Sequence, residues 1–198
     1  MPHPLTSPSR LATACLPVIA ACLLAQPAGA APLAYRLDPA NTHVHWEILH
    51  FGTSTLRGRF DTIEGSLTLD REARSGAVSI SIDTASVSSG TNIFNGVLRA
   101  PLLLATQAHP SAYFVAQRFA FEGDKVSAVS GEFTLRGVSR PLTLRALRFA
   151  CRNDTEPARE VCGGDFEAEF QRSDFGITHS LPFVSDRVRV VIQVEGYR

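Results

Sequence analysis

The sequence predicts an antiparallel all-β domain, and three observations support this fold class. Apolar and polar residues alternate along most of the chain; in "GAVSISIDTASV", for example, Val78, Ile80 and Ile82 alternate with serine and aspartate. Turn-forming residues, mainly glycine and aspartate, separate the alternating stretches. Only residues 91–110 carry apolar side chains at helical spacing. We therefore expect about eight or nine strands with short connections.

The N-terminal residues 1–30 are predicted to be a secretory signal peptide that precedes a single domain over residues 31–198. Residues 11–25 form an apolar run too short for a membrane span of about 20 residues, and residues 28–30, "AGA", form a small-x-small cleavage site. Lipidation at Cys22 is the alternative, but residues 23–25 continue the apolar run past this cysteine. The sequence therefore favours a soluble periplasmic or secreted protein.

The charge composition excludes several classes of partner. The 198 residues carry 19 basic and 19 acidic side chains. A near-neutral chain has no electrostatic footprint for nucleic acid or for a strongly anionic partner. We expect no nucleic-acid partner.

The strands are predicted from the alternation in chain order. Val44, Trp46 and Ile48 share one face of "THVHWEILHF", so His43 and His45 face the other way. A long strand over residues 58–70, bent at Gly65, would suit a curved sheet. Further strands are predicted around residues 76–87, 111–123, 125–137, 140–150, 164–173 and 186–198.

The stretch "EFTLRGVSRPLTLRAL", residues 132–147, predicts the clearest pair of strands. Phe133 and Leu135 face one way before a turn over residues 137–141, and the pattern resumes with Leu142 and Leu144. The stretch contains no nucleophile, base or phosphate-binding loop. Its apolar face is expected to point into a closed core.

One segment, "TNIFNGVLRAPLLLATQAHP", breaks the β pattern. Its apolar residues recur at helical spacing, Ser88, Ser89 or Thr91 could cap the start of a helix, and Pro101 must end or kink the first turns. We expect one or two short helices packed over one opening of the sheet.

Closure of the sheet is expected because an open sheet of this length would expose edges to aggregation. Periodicity alone does not choose between a barrel and a sandwich. The number of inward apolar residues favours the barrel.

Two cysteines outside the leader, Cys151 and Cys162, flank the polar stretch "RNDTEPAREV". In an oxidising compartment this spacing predicts a disulfide that clamps a long hairpin loop. Closing a loop of this size stabilises the fold by about 2–3 kcal/mol in the chain-entropy model.

Several motifs occur in an order that resembles a known family. They are "YRLDPANTHVHWEILHFGTSTLRGRFDTIEGSLTLD", "ISIDTASVSSG", "GEFTLRGVSRPLTL", "QRSDFGI" and "VSDRVRVVIQVEG", which together cover the chain from Tyr35 to Tyr197. The chain resembles the YceI-like family of exported lipid-binding proteins. The resemblance implies a lipocalin-like antiparallel barrel with a deep apolar bore that binds long isoprenoid chains, including quinone tails.

The residues expected to contact such a lipid come from the inward strand faces, the helical segment and the closing motif. They are Trp46, Ile48, His50, Phe60, Leu98, Leu102, Leu103, Phe114, Phe133, Leu135 and Phe175. His50 ends its strand before Gly52, where a barrel mouth would lie, and could hydrogen-bond a polar headgroup. Arg172 and Asp174 are interpreted as a pair that holds a strand end, with contact to a ligand oxygen as the alternative.

The leading hypothesis is a non-catalytic binding protein without a cofactor, because no nucleophile–base pair can be placed. Its expected partners are a lipophilic small molecule and, transiently, a membrane. The sequence leaves open whether the protein forms a homodimer. The first alternative is a metal-dependent enzyme that uses His43 and His45 with His50 or His179, because residues two apart on a strand share a face. The second is a structural or stress-protective envelope protein with a filled core.

Overall fold

The computed structural model describes residues 32–155 and 157–198, so the predicted leader and Cys22 lie outside the described residues. The strands are β1 (Leu33–Leu37), β2 (His43–His50), β3 (Ser54–Phe60), β4 (Ile63–Asp70), β5 (Ser75–Asp83), β6 (Val87–Ser88), β7 (Ser111–Glu122), β8 (Lys125–Leu135), β9 (Val138–Thr155), β10 (Ala158–Gln171) and β11 (Val184–Tyr197). The helix α1 is Asn92–Arg99, and Thr84–Ser86 and Arg172–Phe175 are short 3₁₀ turns.

The strands form one antiparallel sheet that closes into an eight-stranded barrel. β1 and β2 follow one another along the same edge of β11, so the two together fill one position of the barrel. β4 pairs with β1 on one side and with β5 on the other, which joins the two ends of the sheet. The predicted all-β barrel is confirmed, and closure removes the unpaired edges that an open sheet would expose.

The predicted long strand over residues 58–70 is wrong, because the chain bends earlier and its two halves pair differently. β3 ends at Phe60 and pairs with β2 and β6, whereas β4 starts at Ile63 and pairs with β1 and β5. The bend lies at Asp61 and Thr62, whose backbone amides both donate hydrogen bonds to the hydroxyl oxygen of Ser86 at 3.1 Å.

The β8–β9 hairpin has a shorter turn than the sequence predicted. Leu135 pairs directly with Val138, so Arg136 and Gly137 form the whole loop, with φ of 51° and 75°. Positive φ at both loop positions is the twist that a two-residue hairpin favours. Pro141, predicted to lie in the turn, lies within β9 opposite Glu132.

The disulfide between Cys151 and Cys162 is present, with a Cα–Cα distance of 4.1 Å. The two residues are directly opposite each other in the β9–β10 ladder. The prediction of a long loop between them is wrong. β9 continues past Cys151 to Thr155, and β10 already begins at Ala158, before Cys162. The disulfide therefore joins two paired strands.

In the described part of the chain, one α-helix interrupts the β pattern, and it ends at Arg99, shortly before Pro101, as predicted. Thr91 occupies the N-cap position but makes no side-chain cap. Instead, Oδ1 of Asn95, inside the helix, accepts hydrogen bonds at 2.7 Å from the backbone amide and the hydroxyl of Ser89. Within the described part of the chain, no helix is long and apolar enough to cross a membrane.

Candidate functional site

The interior of the barrel contains an apolar cavity of about 330 Å³. This volume falls in the range of small-molecule sites, which are about 300–1,000 Å³. All but four of its lining residues are aliphatic or aromatic, and the four exceptions are His50, Arg172, His179 and Ser180. A cavity of this composition favours an apolar guest.

The polar lining residues are gathered at one end of the cavity. His50 ends β2 and pairs with Val184 at the start of β11, and the other three belong to the segment that leads into β11. His179 and Ser180 are also exposed, so the cavity reaches the surface beside them. We call this end of the barrel the mouth. A guest bound here would meet polar groups only at the mouth.

A second apolar cavity of about 90 Å³ lies deeper in the barrel. The two cavities share five lining residues, Val44, Ile80, Phe114, Leu144 and Ile192. The shared residues come from five different strands, so they form a constriction between the cavities. The apolar interior therefore extends past the main cavity toward the opposite end of the barrel.

Nine of the eleven residues predicted to contact a lipid line the main cavity. They are Trp46, Ile48, His50, Phe60, Leu98, Leu103, Phe114, Phe133 and Leu135. The predicted residues that lie on strands share the inner face of the barrel, because the period-two alternation of a strand places side chains two apart on the same face.

The other two predicted residues lie elsewhere. Leu102 follows α1, and its side chain is 63% exposed, so it faces solvent outside the cavity. Phe175 is buried in a 3₁₀ turn behind the lining, where its ring packs against those of Phe133 and Phe170 at centroid distances of 5.4 and 5.3 Å. Phe175 therefore supports two lining rings.

Arg172 is buried and binds backbone carbonyl groups. Its guanidinium donates hydrogen bonds of 2.8–3.0 Å to the carbonyl oxygens of Ile177, His179, Val184 and Ser185. Burial lowers the pKa of this guanidinium from its ordinary value, and the nearby Asp186 carboxylate partly opposes the effect. Arg172 therefore holds the segment that forms one side of the mouth.

The interpretation of Arg172 and Asp174 as a pair is wrong. Asp174 is exposed, and the acidic partner in this region is Asp186, whose carboxylate accepts from the amide and the hydroxyl of Ser173 at 2.8 and 2.6 Å. Two of the carbonyl groups bound by Arg172 lie in the segment that follows it, and the other two belong to the first two residues of β11.

The histidines proposed as metal ligands do not converge. His43 and His45 share a strand face, with ring centroids 6.1 Å apart, while His50 and His179 lie at the cavity mouth. In residues 32–155 and 157–198, the one cluster of three possible metal-ligating side chains is Cys151, Glu160 and Cys162, and both sulfurs are in the disulfide. In the described part of the chain, the histidines of the proposed metal site therefore form no such cluster.

Comparison with known proteins identifies the family. The model of the YceI-like domain matches residues 35–196. The chain belongs to the YceI-like family. It is 31% identical over 179 residues to Protein YceI of Salmonella arizonae, a match that covers 89% of this chain and 93% of that protein.

Solved structures of similar shape support the YceI-like fold. The crystal structure of Burkholderia cenocepacia BcnA superposes with a TM-score of 0.69 at 21% identity, over 80% of this chain and 98% of BcnA. A polyisoprenoid binding domain from Saccharophagus degradans superposes with a TM-score of 0.57 at 20% identity, over 84% of this chain and 98% of that domain. Both likenesses show the fold.

Sequence reasoning missed part of the lining of this YceI-like barrel. Phe94 and Val97 of α1 line the cavity beside the predicted Leu98. Their helical spacing was recognised, but spacing alone does not say which face of a short helix meets the sheet. Arg172 and His179 were also not among the predicted lining residues, because a connecting segment has no period that tells which of its side chains turn toward the cavity.

Proposed function

We propose that this protein is an exported, non-catalytic binding protein that holds or carries a long-chain isoprenoid-type lipid, such as a polyprenyl chain or a quinone tail. The observation that carries the proposal is the apolar cavity with its four polar residues confined to the mouth. A lipid with a long apolar tail and a small polar head matches this distribution. The description of the Saccharophagus degradans neighbour as a polyisoprenoid binding domain points to the same ligand class.

The energetics of the cavity suit a carrier. Removing one methylene group from water stabilises a complex by about 0.8 kcal/mol, so a long chain has a large nominal preference for the cavity over water. A bilayer solvates the same chain comparably well, and the net preference between barrel and membrane is therefore small. A protein of this kind can accept a lipid from a membrane and return it.

The polar lining residues have two roles in the proposal, one structural and one in contacting the ligand. Arg172 donates its hydrogen bonds to backbone carbonyl oxygens, so its role is structural. His50, His179 and Ser180 line the mouth, where a polar head would lie.

Export is part of the proposal, and the disulfide supports it. Disulfides persist in oxidising compartments and are rare in the cytosol. The Cys151–Cys162 bond is consistent with a periplasmic or secreted protein. The intact mass of the exported chain distinguishes cleavage after residue 30 from lipidation at Cys22.

Lipid extraction tests the proposed function directly. Protein purified from an expression host that makes polyprenyl compounds is extracted with organic solvent, and the extract is analysed by mass spectrometry. We expect a polyprenyl compound in a fixed ratio to protein. Trp46, the single tryptophan, lines the cavity, so titration with a polyprenyl quinone is expected to quench its emission. Protein that is consistently empty and that also fails to take up polyprenyl compounds would refute the proposal.

A further inference from the structure

Exposed apolar side chains are concentrated at the mouth of the barrel. Six of them come from the end of β2, the turn after it, α1, the segment after α1 and the segment before β11. Their exposed fractions run from 46% for Leu49 to 88% for Ile93. We call these six residues the mouth rim: Leu49, Phe51, Ile93, Val97, Leu102 and Phe183.

The mouth rim borders the opening of the cavity. Val97 belongs to both, because its side chain lines the cavity and is 48% exposed. On the other side, Phe51 stacks on Phe183 at a centroid distance of 5.7 Å, and the backbone amide of Phe51 donates to the carbonyl oxygen of Phe183 at 2.7 Å. Phe183 directly precedes Val184, a lining residue. The apolar interior therefore continues onto the outer surface at this end.

The helix α1 exposes two large apolar side chains beside the polar Asn92 and Arg99. Phe94 and Leu98, four residues apart, pack inward against the barrel. Ile93 and Val97, also four apart, are exposed on the neighbouring stripe, and Val97 also borders the cavity. A surface helix of a soluble protein usually turns polar residues outward. An apolar outer stripe is typical of helices that lie in a membrane interface.

We propose that the mouth rim docks the barrel onto the surface of a phospholipid bilayer, with the cavity opening toward the acyl chains. The inference rests on the proposed function of lipid binding. A docked mouth lets a lipid tail pass between two apolar environments without crossing water. The continuity of the rim with the cavity favours a bilayer over a protein partner, because a folded partner on the rim would close the opening.

The docking is expected to depend on apolar insertion more than on charge. Charged residues at this end of the barrel carry both signs: Arg99, Arg136 and Arg172 are positive, and Asp83, Asp174 and Asp186 are negative. Opposite charges that nearly cancel give little long-range attraction to headgroups. Binding to neutral vesicles should therefore change less than about twofold when ionic strength rises and shortens the Debye length.

Vesicle co-sedimentation tests the proposal. The purified mature protein is mixed with sucrose-loaded phosphatidylcholine vesicles, and the pelleted fraction is measured. We expect Ile93→Ser combined with Phe183→Ser to lower the partition coefficient at least about fivefold, because each replaces an exposed apolar group by a polar one. The matched control is Val115→Ser combined with Leu147→Ser, since these residues are 49% and 46% exposed on strands of the barrel wall. The control should stay within about twofold of the wild type.

Three outcomes would overturn the docking proposal. They are a wild-type protein that does not pellet with vesicles, an equal loss in the control variant, and a dimer in solution that the rim variant dissociates, which would make the rim an interface between two copies. Thermal unfolding of each variant shows that the fold is retained. Lipid content is measured separately by extraction. Vesicle binding by a protein that never carries lipid would refute the proposed function and leave the docking in place.

Discussion

The indole of Trp46 lies beside Gly58 on the neighbouring strand, in the space that a side chain at Gly58 would occupy. The two residues are directly paired between β2 and β3. A β-carbon at Gly58 would come closer than 3.0 Å both to the indole and to the backbone carbonyl oxygen of Ser88. The absence of a side chain at this position therefore lets the only tryptophan of the chain lie against the wall of the cavity.

Replacing Gly58 by alanine is expected to destabilise the protein. The β-carbon must displace the indole of Trp46 or the β6 backbone, and overpacking of this kind costs about 1–3 kcal/mol. Chemical denaturation measures the loss, and the emission maximum of Trp46 should shift because its environment changes. Gly96→Ala is the control, since a β-carbon there meets nothing within 4 Å. Gly96 lies in α1, so alanine should hold or raise stability by up to about 1 kcal/mol. An unchanged unfolding curve for Gly58→Ala would contradict the expectation.

Filling the cavity from β9 is expected to reduce bound lipid. Leu142 lines the cavity, and the adjacent Thr143 faces outward and hydrogen-bonds Ser130 at 2.9 Å. Leu142→Trp should lower the lipid extracted per mole of protein at least about fivefold, because the indole occupies space that a tail would need. Thr143→Trp makes the same change on the opposite face and should retain the lipid. Equal lipid in both variants would place the lipid outside this cavity.

Removing the guanidinium of Arg172 is expected to be strongly destabilising. Arg172→Met leaves four backbone carbonyl groups without their donor, and we expect a loss of about 3–5 kcal/mol in the free energy of unfolding. Arg172→Lys should recover only part of it, because one ammonium group cannot reach all four oxygens. Urea denaturation measures both.

The matched control for Arg172 is Arg187, which pairs with Glu169 at 3.6 Å on the surface. Its side chain is 72% exposed, so Arg187→Met should cost less than about 1 kcal/mol. Similar losses at the two positions would show that the hydrogen bonds of Arg172 are not what holds the mouth segment.

The stability of the protein is expected to rise with pH through the titration range of His45. Burial, followed by the neighbouring positive charges of His43 and Arg59, lowers the pKa of His45 from its ordinary value of 6.5. Because the folded state binds this proton more weakly than the unfolded state, stability present above the unfolded pKa is lost as pH falls through the folded pKa. Denaturation of the wild type between about pH 5 and 7.5 should show this rise.

His45→Gln removes the titrating group, and its stability should depend less on pH over the same range. At the upper end of the range the pH slopes of the two proteins should converge, because His45 is neutral in both states. A wild type and a variant with the same slope throughout would show that another group is responsible.

The inner faces of the strands could be predicted because their signal is local. Phe133, Leu135 and Leu142 lie at period-two positions, and the hairpin that joins them places all three on the same side of the sheet. The cysteine pair could be predicted for a similar reason, since two cysteines close in sequence and flanked by strands meet across one hairpin. Family motifs then indicated a bore where alternation alone indicated only a core.

The positions of Leu102, Phe175 and Arg172 could not be predicted in the same way. Each lies in a segment without a period, so nothing local distinguishes an inward from an outward side chain. Leu102 faces solvent, Phe175 packs behind the lining, and Arg172 binds carbonyl groups of the following segment and of the start of β11. These outcomes depend on how the connecting segments fold back over the end of the barrel.

The sequence by itself determined the all-β class, the inward strand faces, the cysteine pair, the YceI-like family and the position of the helical segment, because each is encoded in residues close together in the chain. Only the tertiary structure decided that the interior retains a cavity, that its polar groups gather at the mouth, and that the mouth rim is apolar. Whether inward side chains fill a barrel depends on the curvature of strands that are distant in sequence and on the distances between the tips of their side chains. No local pattern specifies those distances.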